Sequence, residues 1–390
     1  MEIKKSLATT HGSFGSVVKK NAMFIALIVI SLLFQILTNG ILLAPMNVAR
    51  LIQQNSYILI LAVGMLLCIL TGNIDLSIGS VVAIVGAVVG VMVINMHMPV
   101  WIAIVTGLLL GIVIGAWQGY WIAYVKIPAF IVTLAGMLIF RGLATIILDG
   151  QTIGPFPESF QYMAQEYLPT FGLPGFTSTL LVGLVISILL VISQIRTRAE
   201  QIRYGIEVGS RTLFIVKNVV LVVVIMVASY WFTLFKGLPF ILVILGVIAV
   251  IYAYISSKTV IGRHVYAIGG NEKAADLSGI KTKKVKFLVY TNMGLLSAVA
   301  GIVFSSRLNA AGPTAGVNFE LDAIAACYIG GASASGGVGT IVGAVIGGLV
   351  MGVLNNGMSI VGVDMNWQQV IKGLVLLFAV AFDIINQSKK

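Results

Sequence analysis

Charged side chains are scarce in this 390-residue sequence, at 9% against 59% for hydrophobic residues. Soluble globular proteins carry about 25% charged residues. A chain this apolar cannot cover a globular surface with polar groups, so an ordinary soluble protein and a disordered chain are both excluded. The composition is typical of a protein with several membrane-spanning helices.

Cysteine and histidine are also rare. The two cysteines, Cys68 and Cys327, lie in apolar runs, where a role as small hydrophobic side chains is expected. The three histidines are scattered, so no metal site is predicted. No phosphate-binding loop or catalytic motif is present, and the glycine-rich stretch 330–339 lacks the lysine that would reach a phosphate. We expect no cofactor in this chain and no enzymatic activity, with energy arriving from a partner or an ion gradient.

Long apolar segments supply the main signal. A membrane-spanning helix needs about 20 mostly apolar residues, and the tenth of the candidate segments is short and rich in glycine. The sequence predicts an all-α polytopic membrane protein with about twelve spans (ten to twelve), in which spans 2–3 and 10–11 are interrupted. The segments are 22–43, 56–72, 77–95, 99–123, 128–148, 177–195, 213–235, 238–256, 287–306, 321–335, 338–361 and 367–386.

Lysine and arginine indicate the orientation. Most of the 24 lie in the two tails, at 196–217 and at 257–286, whereas the loop 149–176 has none. Positive residues stay on the cytoplasmic side, so both tails (1–21 and 387–390) are predicted to be cytoplasmic, and 149–176 is predicted to cap the outer mouth of a single transmembrane domain at 22–386. Topology and lipid headgroups therefore account for the net charge of +11 without a nucleic-acid partner.

Polar residues interrupt the apolar pattern at 71–80, where Asn73, Asp75 and Ser77 lie between two glycines. A break at membrane depth is tolerated only where it is buried in protein or lines a cavity. One interpretation is a hinge or lining segment beside a polar path. The other is a turn at the cytoplasmic end, in which Asp75 or Ser77 caps a helix.

A second polar region covers 307–331, where Glu320 and Asp322 follow a Gly/Pro/Asn loop. This interruption, matched with the one at 71–80, indicates that the chain consists of two related halves. Arg141, in the outer part of the fifth span, is expected to reach the outer interface or to pair with Asp149 or another acid of the cap.

Amide side chains surround the last outer loop, at Asn355, Asn356, Gln368 and Gln369. Amides both donate and accept hydrogen bonds, so they bind sugar hydroxyls well. They also hold helices together in membranes. For each of them singly, the sequence favours the second role.

The cytoplasmic segment 262–286 predicts a short helix between glycine hinges. Gly269 and Gly270 are expected to end an extended piece, Asn271 to cap the helix, and Gly279 to terminate it. A helix of about two turns is marginal alone, so docking onto a partner is expected. Its apolar face is weak for membrane binding.

Five stretches, 71–87, 115–142, 262–280, 306–331 and 355–383, together resemble the permease subunits of bacterial sugar importers powered by ATP-binding cassettes, of the ribose, galactose and xylose class. The additional block 196–236 is similar to the longer, xylose-type branch, and its role is unassigned. The resemblance implies a homodimer in the bacterial inner membrane, an extracytoplasmic sugar-binding protein and a separate ATPase subunit that binds ATP and Mg²⁺. The residues it implies for the ATPase-coupling loop are Gly269, Gly270, Asn271, Glu272, Ala275, Leu277, Ser278, Gly279 and Ile280.

The predicted function is import of a monosaccharide, D-xylose or a related pentose or hexose, by alternating access. Candidates for the translocation path or its hinges are Asn73, Asp75, Ser77, Glu320, Asp322, Asn355, Asn356 and Gln368. An ion-coupled secondary sugar transporter is the alternative, and an intramembrane enzyme or scaffold is the third class.

Overall fold

Helices make up the fold in a computed structural model that describes residues 22–170, 172–173, 177–206 and 208–387. The tail 1–21 and residues 388–390 lie outside the described residues. In chain order the helices are α1 (Ala22–Leu37), α2 (Pro45–Leu70), α3 (Ile78–Gly90, continued by a π-helical turn, Val91–Asn95), α4 (Val100–Ala123), α5 (Ala129–Ile147), α6 (Glu158–Gln165), α7 (Thr177–Arg203), α8 (Arg211–Thr233), α9 (Phe240–Lys258), α10 (Val260–Gly270), α11 (Glu272–Leu277), α12 (Thr282–Leu308), α13 (Phe319–Ile329), α14 (Ile341–Val361) and α15 (Met365–Gln387).

Nine helices of the described residues are long and apolar enough to cross a membrane, and shorter apolar stretches lie in α1 (Met23–Leu37) and α15 (Met365–Ala381). The predicted polytopic all-α fold is confirmed. The predicted tenth span, 321–335, instead forms α13, which has 11 residues. At 1.5 Å per residue α13 extends about 16 Å, half the thickness of a hydrocarbon core of about 30 Å.

The second span begins earlier than the sequence predicts, at Pro45 rather than at residue 56. Its first turns contain polar residues, and distant partners satisfy them. The Asn47 Nδ2 donates to Asn356 Oδ1 at 2.8 Å, and the Asn356 Nδ2 donates to Gln54 Oε1 at 3.2 Å. Because these amides pair with each other, they stay helical at the outer end of the bundle.

The centre of the bundle consists of α2, α3, α12 and α14, each more than half buried, whereas α7 and α8 are mostly exposed. Close packing at the centre depends on glycine. A Cβ at Gly115 of α4 would lie 2.4 Å from the Tyr290 carbonyl oxygen, and one at Gly294 of α12 would lie 2.2 Å from the Gly111 oxygen. Small residues thus let α4 and α12 approach backbone to backbone. The additional block contributes to a peripheral hairpin, α7–α8, in which Gly183 packs on Ser229.

Both predicted interruptions are present, at 71–77 and at 330–340. We name the two ends of the bundle cytoplasmic and outer after the orientation that the lysine and arginine distribution predicts. The stretch 330–340 leads from α13 into α14 and contains the glycine-rich sequence. It therefore packs as a non-helical turn between two helices.

Replacing Gly316 with alanine is expected to lower the melting temperature more than the same replacement at Gly331. Both residues have positive φ, +71° and +83°, which costs alanine about 1–2 kcal/mol. Only at Gly316 would the new Cβ meet a backbone oxygen, that of Gly79 at 2.1 Å, while Gly331 faces open space. Overpacking adds about 1–3 kcal/mol at Gly316. Thermal unfolding of the two variants in detergent checks this, and equal melting temperatures would contradict the close crossing.

Candidate functional site

The first polar interruption ends well inside the bundle. A Cβ built on Gly136 of α5 would lie 3.5 Å from the Ser77 Cβ, and Gly136 lies seven residues, about 10 Å, from the cytoplasmic start of α5. Further along, Gly301 of α12 packs against Val82 of α3. Helix α3 therefore starts inside the bundle, near mid-depth, and residues 71–77 lead to this point from the cytoplasmic end.

The loop between α12 and α13 reaches the same depth from the outer side. Beyond α12, Ala311 lies beside Gly90 at the outer part of α3, whereas Gly316 lies against Gly79, about three helical turns lower. The loop 309–318 thus descends along α3, and α13 starts beside the first turn of α3. We call this meeting of the two helix starts the mid-depth junction, formed by residues 75–79 and 316–322 with their contacts.

Asp75 is almost fully buried and organises the start of α3. Its Oδ1 accepts hydrogen bonds from the Ser77 backbone N at 2.9 Å and from the Ser77 Oγ at 2.6 Å. The Ser77 Oγ in turn accepts from Gln118 Nε2 of α4 at 2.7 Å. Asp75 therefore holds the turn as a cap does, but the cap lies at mid-depth. Gln118 was not predicted, because a single amide in the apolar run 99–123 gives no distinct signal.

Arg141 of α5 belongs to the junction and not to the outer cap. Its Nη1 donates to the carbonyl oxygens of Pro313, at 3.0 Å, and of Ala315. The pairing with Asp149 or a cap acid that the sequence suggested is therefore wrong. The two loop carbonyls accept no hydrogen bond from the backbone of any described helix, and the Arg141 guanidinium supplies the donor that they need within the bilayer. Glu320 lies in the first turn of α13 beside Gly79, where a carboxylate stabilises the positive end of the helix dipole.

Asp322 connects three helices. Its Oδ1 pairs with Lys372 Nζ of α15 at 3.0 Å, and its Oδ2 accepts from the Tyr57 hydroxyl of α2 at 3.3 Å. The Tyr57 ring stacks on Phe319 with centroids 3.7 Å apart. Buried carboxylates are costly unless they are paired, so this contact secures α15 to the junction. The sequence indicated Asp322, but it did not indicate Tyr57 or the ion pair with Lys372.

The amides near the last outer loop separate into different roles. Asn356 joins α14 to α2, which is the structural role that the sequence favoured. Gln368 donates to the Val363 carbonyl at 2.9 Å within the outer turn before α15. The Asn355 Oδ1 is buried and accepts no hydrogen bond from any described residue. Gln368 is therefore not at the junction.

The cytoplasmic ends of both interruptions meet the end of α10. The Gly337 N donates to the Leu70 carbonyl at 3.0 Å, and a Cβ at Gly269 would lie 1.7 Å from the same Leu70 oxygen. The Tyr266 hydroxyl donates to the Gly339 carbonyl at 2.7 Å. We call this contact of residues 70–72, 266–270 and 336–339 the cytoplasmic junction. It requires glycine, because three backbones pass within contact distance.

The short helix at 271–279 forms as predicted. Asn271 caps α11, with its Oδ1 accepting from the Ala274 N at 3.0 Å, and Gly279 follows with a φ of +84°. The Glu272 carboxylate pairs with Lys286 Nζ at 2.6 Å. The preceding piece is helical as α10, so the predicted extended conformation is wrong.

Side chains of α11 divide sharply by exposure. Ala275 is buried and Ile280 half-buried, whereas Leu277 is 90% exposed. Ser278 is exposed and bonds back to the Ala274 carbonyl. A groove of about 680 Å³ runs beside α11 and includes Asn73, Lys126 and Asp276. Asn73 thus belongs to the cytoplasmic face and is separated from Asp75 in depth.

The described residues contain no group of three or more side chains suited to hold a metal ion. The two junctions are connected by the segment 71–77 and by α13 with the stretch 330–340. Both connections run from the polar cluster at mid-depth to the end of α10, which leads into the exposed helix α11. Discontinuous helices whose starts meet at mid-depth are the usual way for a transporter to build a polar site within a bilayer.

Comparison with known proteins agrees with a transport architecture. The sequence profile of the family described as "Branched-chain amino acid transport system / permease component" matches residues 47–380. The chain belongs to this permease family. It is 39% identical over 367 residues to the xylose transport system permease protein XylH of Haemophilus influenzae, covering 94% of this chain and 96% of that protein.

Two further relatives extend the comparison. XylH of Escherichia coli K12 is 38% identical over 386 residues, covering 98% of this chain and 96% of that protein. The ribose import permease protein RbsC of Bacillus subtilis is 37% identical over 370 residues, covering 95% and 94%. No solved structure matches the chain. These comparisons confirm the resemblance to sugar permeases. Together with the nine candidate spans of the described residues, they also confirm the predicted multi-pass location in the inner membrane.

Removing the Lys372 cation is expected to destabilise the permease strongly. Lys372→Met leaves the Asp322 carboxylate buried without its partner, at a cost of about 3–5 kcal/mol. Adding Asp322→Asn should recover most of that loss, since the neutral amide oxygen can still accept from Tyr57. Melting temperatures of both single variants and the double variant check the coupling, with Lys258→Met, at an exposed cytoplasmic lysine, as control. Additive losses would contradict an ion pair.

Proposed function

We propose that this chain is the membrane-spanning subunit of an ATP-driven importer of a monosaccharide, with D-xylose as the first candidate. Two relatives are named as xylose permeases and a third as a ribose permease, each across nearly the full chain, which supports a sugar substrate. Two copies of the chain form the translocation unit. A separate ATPase subunit binds ATP and Mg²⁺, and an extracytoplasmic binding protein delivers the sugar.

One structural observation carries the coupling mechanism. Helix α11 follows directly from α10, and the end of α10 packs against both interruptions through Leu70, Gly269 and Gly337. Movement of α11 therefore acts on both interrupted segments at once. Because packed backbones have discrete arrangements and do not deform continuously, such a movement favours alternation between two states.

The ATPase subunit docks on α11 and its adjoining groove. The exposed Leu277 supplies an apolar contact, and Glu272, Lys273 and Asp276 are exposed around it. The α11 backbone is held by the Asn271 cap and the Glu272–Lys286 pair, so the helix presents a fixed surface. Gly279, with a φ of +84°, provides the backbone freedom at its C-terminal end.

Uptake into vesicles tests the proposed function. Proteoliposomes containing this chain and its ATPase subunit, with ATP inside and binding protein outside, should accumulate radiolabelled D-xylose. Ionophores that collapse ion gradients should leave the uptake unchanged. Uptake without the ATPase, or uptake abolished by ionophores while ATP is maintained, would instead favour an ion-coupled transporter.

The docking surface gives a separate prediction. Leu277→Asp should weaken association with the ATPase subunit by roughly 10- to 100-fold, because burying a leucine contributes about 1.5–3 kcal/mol. Leu173→Asp, an exposed leucine in the loop predicted to be outer, is the matched control and should bind normally. Co-purification in detergent measures both. If the Leu277 variant binds as tightly as the parent, α11 is not the docking helix.

A further inference from the structure

A cavity of about 250 Å³ lies between α13, α14 and α15 at the edge of the mid-depth junction. Its polar lining consists of Asn318, Asp322, Gln369 and Lys372, and its apolar lining includes Met351 and Leu376. We propose that this cavity is a binding site for a single monosaccharide, one in each copy of the chain. The proposal rests on the proposed function and adds the location and the residues of a sugar site.

The polar side chains of the cavity have unused hydrogen-bonding capacity. Neither the Asn318 amide nor the Gln369 amide bonds to another described residue. Lys372 gives one of its three N–H donors to Asp322, and the Asp322 oxygens each accept one bond, from Lys372 and Tyr57. Each carboxylate oxygen can accept a second. The cavity therefore presents both free donors and free acceptors. A sugar hydroxyl, which can donate and accept, finds partners of both kinds there.

The fold fixes the Asp322 side chain and the Asn318 backbone. The Asp322 side chain is 5% exposed, and its bonds to α2 and α15 hold it in place. Asn318 has a left-handed backbone, with φ of +65°, at the start of α13. Asn355, whose buried Oδ1 accepts no bond from a described residue, lies one turn beyond Met351 on α14. The carboxylate of the site is therefore held in place before a ligand binds.

Size and lining select the class of ligand. A water occupies about 30 Å³ of the liquid, so the cavity has the volume of about eight waters, which suits one pentose or hexose. The apolar side chains offer a surface for the C–H face of a sugar ring, while the amides and the ion pair meet its hydroxyls. The rim includes the exposed residues Leu321 and Gln369, so the cavity is open to a ligand.

Cysteine labelling of the assembled importer tests the site. In a background with Cys68→Ala and Cys327→Ala, whose buried thiols would otherwise complicate labelling, Gln369→Cys places a thiol at the rim. We expect a small methanethiosulfonate reagent to label it about tenfold more slowly when D-xylose or D-ribose is present at ten times its dissociation constant, because only the empty cavity reacts. Maltose should give no protection.

Two further variants sharpen the test. Gln368→Cys, one residue away and facing the outer turn, is the matched control and should label at the same rate with and without sugar. Asn318→Gly keeps the left-handed backbone but removes the amide, and it should raise the sugar concentration needed for half-protection by roughly 2- to 10-fold. The measurement requires no turnover, so labelling and import report separately.

The outcomes separate the two proposals. Equal labelling of Gln369→Cys with and without sugar, in an importer that still transports, overturns the cavity as a sugar site and leaves the proposed function intact. A thiol that never reacts also overturns it, because a lipid or the second copy then covers the cavity. Failure of the wild-type importer to transport either pentose would instead contradict the proposed function.

Discussion

The structure depends on one constraint, that backbone polar groups inside a bilayer need partners within the protein. This chain interrupts two helical segments at membrane depth, so the freed groups must be satisfied there. The Leu70 carbonyl accepts from the Gly337 N, and the Arg141 Nη1 donates to two carbonyls of the descending loop 309–318. Glycine makes these contacts possible by allowing backbones to cross where a Cβ would clash, as at Gly79, Gly269 and Gly316.

The same constraint explains where the charges are. Each helix start at the mid-depth junction has a carboxylate, with Asp75 before α3 and with Glu320 and Asp322 in the first turn of α13. Carboxylates stabilise the positive ends of helix dipoles, and cations from other helices approach them or their loops. Charges that would be unfavourable in lipid thus become structural where two helices start inside protein. In the proposed sugar site, the ligand uses the hydrogen-bonding capacity of Asp322 and Lys372 that these structural contacts leave unused.

Local features were predictable from sequence, and long-range partners were not. The Asn271 cap and the turn at Gly279 follow from neighbouring residues, so the short helix was predicted correctly. The start of α2 was placed eleven residues too late, because only the fold shows that Asn47 and Gln54 meet Asn356 across the bundle. Arg141 was assigned to the wrong partner for the same reason.

A different kind of error affected α10. Its buried residues, Gly262, Val265 and Ile268, recur at helical spacing, and the Thr259 side chain caps it by accepting from the Gly262 N. The helical signal was therefore present in the sequence, but the glycine pair at 269–270 suggested an extended piece. In the structure these glycines close a helix and provide the crossing with Leu70 and Gly337. Close approach of backbones, and not conformational freedom, explains Gly269.

The lengths of the elements explain how a cytoplasmic event can reach a site at mid-depth. Helix α13 has one end at the interruption 330–340, which touches α10, and the other at Glu320 and Asp322. Only about 16 Å separate the two ends, and an α-helix of this length transmits displacement as a rigid body. In the mechanism that we propose, a shift of α10 therefore moves the Asp322 carboxylate relative to Lys372 on α15, whose start lies on the outer side. Binding of the ATPase subunit at α11 would then act on the polar cavity through α10 and α13.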